Sequence, residues 1–184
     1  MEGVIKMMNA KVNKAFNEQI KHELESAYLY LAMAAYFEDE GLDGMAQWMK
    51  VQAMEESVHA YKFFTNIAER GGRVELLALK KPQKTWTSAL AAFKAAYEHE
   101  QFITSKIHEL VALAEKEKDY ASMPMLQWFV EEQIEEEDTA SKIADTLEKV
   151  GKGGHGLIMM DRELARRSFK IDPAVAALFG AGGE

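Results

Sequence analysis

Apolar residues recur every three to four positions through most of the chain, the period that gathers side chains on one face of an α-helix. A first such run holds Phe16, Ile20, Leu24, Ala27, Leu31 and Ala34. A second holds Met45, Trp48, Met49, Phe63 and Ile67. A third holds Leu90, Phe93, Ala96, Tyr97, Ile103, Ile107 and Leu110, and a fourth Leu126, Phe129, Val130, Ala140, Ile143 and Leu147. The prolines are Pro82, Pro124 and Pro173. Proline costs about 3 kcal/mol inside a helix, so the long stretches between them are open to long helices.

Turn and cap residues divide the runs. Asn9 and Ser88 are N-cap residues, and Gly41 and Gly71 are stop signals. Asp119 or Ser122 caps the fourth run, and Pro124 falls in its first turn, where a missing N–H is tolerated. Gly151, Gly153, Gly154 and Gly156 end it. The predicted helices span 10–40, 44–70, 89–118 and 122–150, with a short fifth over 157–167 and a flexible tail over 170–184. The connections at 41–43 and 119–122 are short, which makes each flanking pair an antiparallel hairpin. The connection over 71–87 is long enough to run the length of a bundle. The expected fold is all-α: an antiparallel four-helix bundle with one long crossover and a short fifth helix, in a single domain over 1–184.

Polar residues interrupt each apolar stripe near its middle. Glu23 and Tyr30 fall on the inner face of the first helix, two turns apart. Glu56 and His59 sit within the second stripe, Glu100 within the third, and Gln133 with Glu136 within the fourth. Glu56-x-x-His59 and Gln133-x-x-Glu136 are i, i+3 pairs, so the members of each reach one point. One inward glutamate is commonly a rim residue, and one E-x-x-H is a weak signal. Four helices carrying carboxylates at one level is a different matter. A carboxylate from each of two helices, with an E-x-x-H pair from each of the other two, is the ligand pattern of di-metal carboxylate bundles, and here the second pair reads Q-x-x-E instead. Four ionised glutamates would bury a charge of −4, which two divalent cations neutralise.

Composition narrows the chemistry. The 184 residues include no cysteine, so thiolate metal sites, disulfides and thiol nucleophiles are excluded. Oxygen and imidazole ligands suit iron, manganese or zinc. The net charge of −8, with no basic stripe, argues against nucleic acid as a partner. No apolar run is long enough to span a membrane, and no signal peptide is evident at the N-terminus, so a cytoplasmic location is expected.

At these residues the sequence resembles the prokaryotic non-haem ferritins, a family of ferritin-like di-iron carboxylate proteins. The segments that carry the resemblance are NEQIKHELESAYLYL (17–31), QAMEESVHAYKFF (52–64), YEHEQFITSKIHEL (97–110) and LQWFVEEQIEEE (126–137). The resemblance implies a ferroxidase centre that oxidises Fe(II) with oxygen or hydrogen peroxide. Glu23, Glu56 and His59 would hold the first iron. Glu56 would bridge to a second iron held by Glu100 and Glu136, with Gln133 beside them. Glu55, Glu132, Glu135 and the shared Glu136 would hold a third. Tyr30 and Trp128 would stand beside the centre as one-electron donors, although core packing accounts for Trp128 equally well. The resemblance further implies a homo-oligomeric shell of 24 subunits that stores ferric oxyhydroxide. Bacterioferritins carry a second E-x-x-H where this chain has Gln133-x-x-Glu136, and a haem-ligating methionine where it has Ser57. No haem is therefore expected.

Three other functions share the bundle. A rubrerythrin-like peroxidase would bring paired C-x-x-C motifs, which are absent here. A mini-ferritin of the oxidative-stress type would place its ligands across a dimer interface. A bundle without catalysis would leave these acids solvated.

Overall fold

The computed structural model describes residues 8–151 and 154–170. The described residues form five helices: α1 (Ala10–Asp39), α2 (Asp43–Glu69), α3 (Ala89–Lys116), α4 (Met123–Val150) and α5 (Gly154–Leu164). The all-α bundle is as expected, and most predicted limits hold within two residues. The fifth helix differs at both ends, since it spans Gly154–Leu164 rather than 157–167. α4 already ends at Gly151, which has φ +64°, and Gly154 and Gly156 lie in the first turn of α5 instead of ending α4. The expected tail over 170–184 lies outside the described residues after Lys170.

Local chemistry explains the helix ends. The Asn9 side chain accepts from the N–H groups of Lys11 (2.8 Å) and Val12 (3.4 Å), and Ser88 accepts from Ala91 N–H (3.1 Å). Gly41 and Gly71 take left-handed φ of +69° and +67°. Each lets the next N–H reach back to a helical carbonyl, Leu42 to Phe37 and Gly72 to Ile67, both at 2.9 Å. The end of α3 uses the same device with Lys118 at φ +55°, and Asp119 N–H reaches Ala114 O at 2.8 Å. Ser122 occupies the N-cap of α4 but makes no side-chain cap bond; its hydroxyl donates to Asp119 instead.

The crossover determines topology. Asn9 and Lys11 at the start of α1 bond Glu117, and Arg70 at the end of α2 donates to Asp119 (3.0 Å). The C-terminal ends of α2 and α3 therefore share one end of the bundle, and residues 71–88 must travel its full length. A 28-residue helix is about 42 Å long, within reach of an extended segment of that size. The crossover climbs α1 by fixed contacts. Asn13 and Asn17 bond the Arg73 carbonyl, Asn17 accepts from Glu75 N–H, and Glu25 accepts from Lys80 N–H. At the far end Trp86 packs edge-on against Tyr36.

α5 docks on the first turns of α2. That helix has no side-chain cap of its own, and the Asp161 carboxylate of α5 accepts from Met45 N–H at 2.8 Å. Gly44 allows the approach, because a Cβ there would lie 1.8 Å from the Asp161 carbonyl oxygen.

The interior consists of two apolar clusters. One gathers Tyr30, Phe37, Trp48, Met49, Ala53, Phe93, Ala96 and Ile143. The other gathers Phe16, Ile20, Ala60, Phe63, Ile103, Ile107, Leu126 and Phe129. Between them each of α1–α4 changes to polar residues. The expected stripe on α1 needs one correction. Leu31 is 51% exposed and Leu24 only partly buried, while Met33 and Phe37 are core. Leu24 and Leu31 each follow an inward residue by one position, which turns them about 100° away from the core.

Candidate metal centre

The polar layer lies where the two apolar clusters part. On α1, Glu23 lies between Ile20 and Tyr30. On α2, Glu56 and His59 lie between Ala53 and Ala60. On α3, Glu100 lies between Ala96 and Ile103, and on α4, Gln133 follows Phe129 by one turn. Glu23, Glu56 and Glu100 are at most 1% exposed, and Gln133 and His59 are also buried. Ionised carboxylates at that depth are costly unless paired or bound to metal.

Among the described residues, three groups of side chains present ligand atoms within 4.8 Å of one another: Glu23, Glu56 and His59; Glu56, Glu100 and Glu136; and His59, Glu132 and Glu136. The first two share Glu56. His59 Nδ1 lies 3.5 Å from Glu56 Oε2 and 4.0 Å from Glu23 Oε2. Among the described residues, three buried atoms here have no hydrogen-bond partner: His59 Nδ1, Glu23 Oε2 and Glu136 Oε2. Orphaned polar atoms of this kind are rare in a folded interior. A cation in their midst would satisfy all three.

The titration behaviour follows from crowding. Burial pushes the Glu23 carboxyl up to about 8, and the neighbouring Glu56 adds to the rise. Burial also pushes Glu56 and Glu136 well above the usual carboxylate range. Repulsion from Glu100 raises Glu56 further, and Glu56 and Glu100 do the same to Glu136. Without a metal the cluster holds protons. A metal ion would displace them, so loading is coupled to proton release.

A second layer of amides holds the carboxylates in place. Gln19 Nε2 donates to Glu23 Oε1 at 2.8 Å. Gln52 Nε2 donates to both Glu56 and Glu136 at 3.0 Å. Gln133 Nε2 donates to the Glu100 carbonyl (3.2 Å), the Glu100 carboxylate (3.4 Å) and the Thr104 hydroxyl (3.3 Å). Tyr30 donates its hydroxyl hydrogen to Glu100 Oε1. Such partners orient ligands and tune their basicity. Gln19, Gln52 and Thr104 escaped the sequence reading. The signal for two of them was present: each buried glutamate of the first helix pair has a glutamine four residues before it, one turn away on the same face.

The sequence-predicted residues fall into two sets. Glu23, Glu56, His59, Glu100, Gln133, Glu136 and Tyr30 converge. Trp128 stands edge-on to His59 with ring centroids 5.5 Å apart and carries Lys62 Nζ 3.4 Å from its ring centre. The expected third group is only partly assembled. Glu132 joins His59 and Glu136, whereas Glu55 is paired with Arg167, and exposed Glu135 stands outside the three groups. All three line a cavity of about 190 Å³ beside the centre, together with Tyr30, Glu100, Glu136 and Arg167. Burial raises the carboxyls of Glu55 and Glu132, and Arg167 opposes the rise at Glu55.

Fold and site define a four-helix bundle with a carboxylate and histidine centre at mid-height, the arrangement of ferritin-like di-metal proteins. Comparison with known proteins agrees. The ferritin-like domain family matches residues 13–150, and the chain belongs to that family. It is 40% identical to the bacterial non-heme ferritin of Campylobacter jejuni over 156 residues, covering 85% of this chain and 93% of that one. It is 39% identical to the bacterial non-heme ferritin of Bacteroides fragilis over 161 residues, covering 88% of this chain and all of the other. Among solved structures, an open pore ferritin from the archaeon Archaeoglobus fulgidus superposes with a TM-score of 0.87 at 48% identity. That match covers 88% of this chain and 99% of the archaeal one. No described helix is long and apolar enough to cross a membrane.

Proposed function

We propose that this chain is an iron-storage protein and a ferroxidase. Fe(II) binds as a pair, one ion at Glu23, Glu56 and His59 and the other at Glu56, Glu100 and Glu136, with Glu56 as the bridge. Each ion gives up one electron in becoming Fe(III). Two electrons and two protons reduce dioxygen to hydrogen peroxide, or hydrogen peroxide to two waters. Paired irons thus match the electron count of either oxidant. An all-oxygen and imidazole ligand set favours Fe(III), the harder and more highly charged ion. Glu132, with His59 and Glu136, offers a further position on the cavity side, and Glu55 and Glu135 flank it.

The observation that carries the proposal is the convergence of three unpartnered buried atoms, His59 Nδ1, Glu23 Oε2 and Glu136 Oε2, inside clusters that share one glutamate. The relatives named non-heme ferritins support iron as the metal. Assembly into a hollow 24-mer of cytoplasmic ferritin type completes the reading. Exposed Tyr28, Leu31, Tyr61, Phe64, Leu76 and Leu79, on α1, α2 and the crossover, support burial against other copies.

The test adds Fe(II) aerobically to metal-free protein and follows ferric absorbance. The native chain should oxidise iron far faster than buffer, and Glu56→Ala with His59→Ala should not. Equal rates for native protein and buffer would discard the ferroxidase reading. Light scattering should give a particle of 24 chains of 20.7 kDa, about 500 kDa. A monomer or dimer would discard the cage.

A further inference from the structure

The cavity beside the centre is acidic on most sides, and among the described residues that line it one, Arg167, is a cation. Glu55, Glu100, Glu132, Glu135 and Glu136 face it, and Arg167 faces them. The Arg167 guanidinium donates to Gln52 Oε1 at 2.7 Å and to the Glu55 carboxylate. It also lies over the Trp48 ring, 4.2 Å from its centroid. Its Nη1 is buried and makes no hydrogen bond among the described residues.

The placement of Arg167 follows from the docking of α5. Gly44 and Met45 receive Asp161, and Trp48, Gln52 and Glu55 continue the same stripe of α2 at steps of three and four residues. The chain leaving α5 runs along that stripe, and Gln47 Nε2 donates to the Arg167 carbonyl at 3.4 Å. A contact at one end of α2 thereby carries a guanidinium to the wall of the acidic cavity, next to Gln52, which itself holds Glu56 and Glu136.

We propose that Arg167 is a tethered cation that competes with metal on the cavity side of the centre. A guanidinium stays charged at every pH the folded protein meets, so it acts as a permanent occupant. A divalent ion held by Glu132 and Glu136 would meet its repulsion, and Glu55 would have to leave Arg167 before it could serve as a ligand. The cavity position is therefore kept weak relative to the two inner positions, and ions pass through it without lodging there. Arg167 is a positioning residue, since it acts through Glu55 and through its charge. This inference rests on the di-metal reading proposed above.

Zinc titration of the metal-free, assembled full chain by calorimetry tests it. The native protein should bind two Zn²⁺ per chain tightly and a third weakly. In Arg167→Met, which keeps an apolar stem over Trp48, the third ion should bind at least about tenfold more tightly with the first two unchanged. Arg167→Lys, which restores the charge, should return the third ion to weak binding. An unchanged third affinity in Arg167→Met overturns the proposal. So does Arg167→Lys behaving like Arg167→Met, because packing and not charge would then be responsible. If the native chain binds fewer than two ions, the di-metal reading fails and this inference fails with it. A measurement on the native chain serves should the variants misfold. Zn²⁺ added beyond two equivalents, in the excess that calorimetry shows fills the third position, should shift tryptophan emission as Arg167 leaves Trp48, and Trp48→Phe should lose that shift. No shift in the native chain counts against displacement of Arg167 and overturns the proposal.

Discussion

Tyr30 on α1 donates its hydroxyl hydrogen to Glu100 on α3, and both side chains are buried. The bond ties two helices together at the level of the metal centre. Burial pushes the Tyr30 phenol well up, and the charge of Glu100 adds to the rise, so Tyr30 remains a donor across the working pH range. Glu100 gains a neutral partner that fixes its rotamer without competing for a cation.

Tyr30→Phe removes that donor and leaves Glu100 Oε1 short of a partner in the metal-free protein. We expect the metal-free form to lose about 1–3 kcal/mol, the cost of an unsatisfied buried acceptor. Zinc should recover most of the loss, because a metal ion replaces the missing bond. Urea unfolding with and without Zn²⁺ measures both. A loss of equal size in the two states would mean that Glu100 does not face the metal.

Glu23 predicts an inverted pH dependence of stability. Its folded value of about 8 lies above the unfolded value of 4.5. The unfolded chain therefore binds fewer protons between those values, and stability falls as pH rises through that window. The metal-free protein should melt at higher temperature near pH 5 than near pH 8, with on the order of a few kcal/mol lost across the range from this group alone. Zinc should reverse the trend, because deprotonated carboxylates bind it. Melting curves at the two pH values decide the matter; a metal-free protein most stable at pH 8 contradicts the assignment of Glu23 as buried and uncompensated.

Glu132→Ala with Glu135→Ala separates the cavity side from the inner pair. Two irons per chain should still bind, while the oxidant consumed per iron or the rate of repeated turnover changes. Anaerobic Fe(II) binding and oxygen uptake report these separately. Loss of all iron binding would show that Glu132 and Glu135 belong to the inner pair.

Lys118 ends α3 with a left-handed φ of +55°, where the other two turns of the same form use glycine. A side chain in that conformation costs about 1 kcal/mol. Lys118 is exposed and its ammonium has room to leave, so Lys118→Gly should stabilise the protein by roughly 0.5–1 kcal/mol. A shift of the urea midpoint upward, with an unchanged slope, is the expected result.

The helices and the inner ligands were legible because their determinants are local. Asn9 and Ser88 cap through bonds to N–H groups two or three residues away, and the stripe that carries Phe93, Glu100 and Ile107 is set by helical period alone. Leu24 and Leu31 were misplaced for the same reason: apolar character does not say on which side of a broad stripe a residue falls, and a step of one residue turns it out of the core. The amide layer was half legible, since Gln19 and Gln52 precede their glutamates by one turn, but nothing in the sequence said that Gln52 would also reach Glu136 on another helix.

Sequence by itself determined that four helices would each bring acid to one buried level. Burial of that much like charge has few physical solutions, and a pair of divalent ions is one of them. Tertiary structure alone decided which carboxylates meet on the cavity side. Glu55 is drawn to Arg167, and Arg167 arrives there only because Gly44 lets α5 dock against α2. Contacts between residues more than a hundred positions apart leave no periodic trace in a chain, since they depend on how finished helices pack and not on how each one forms.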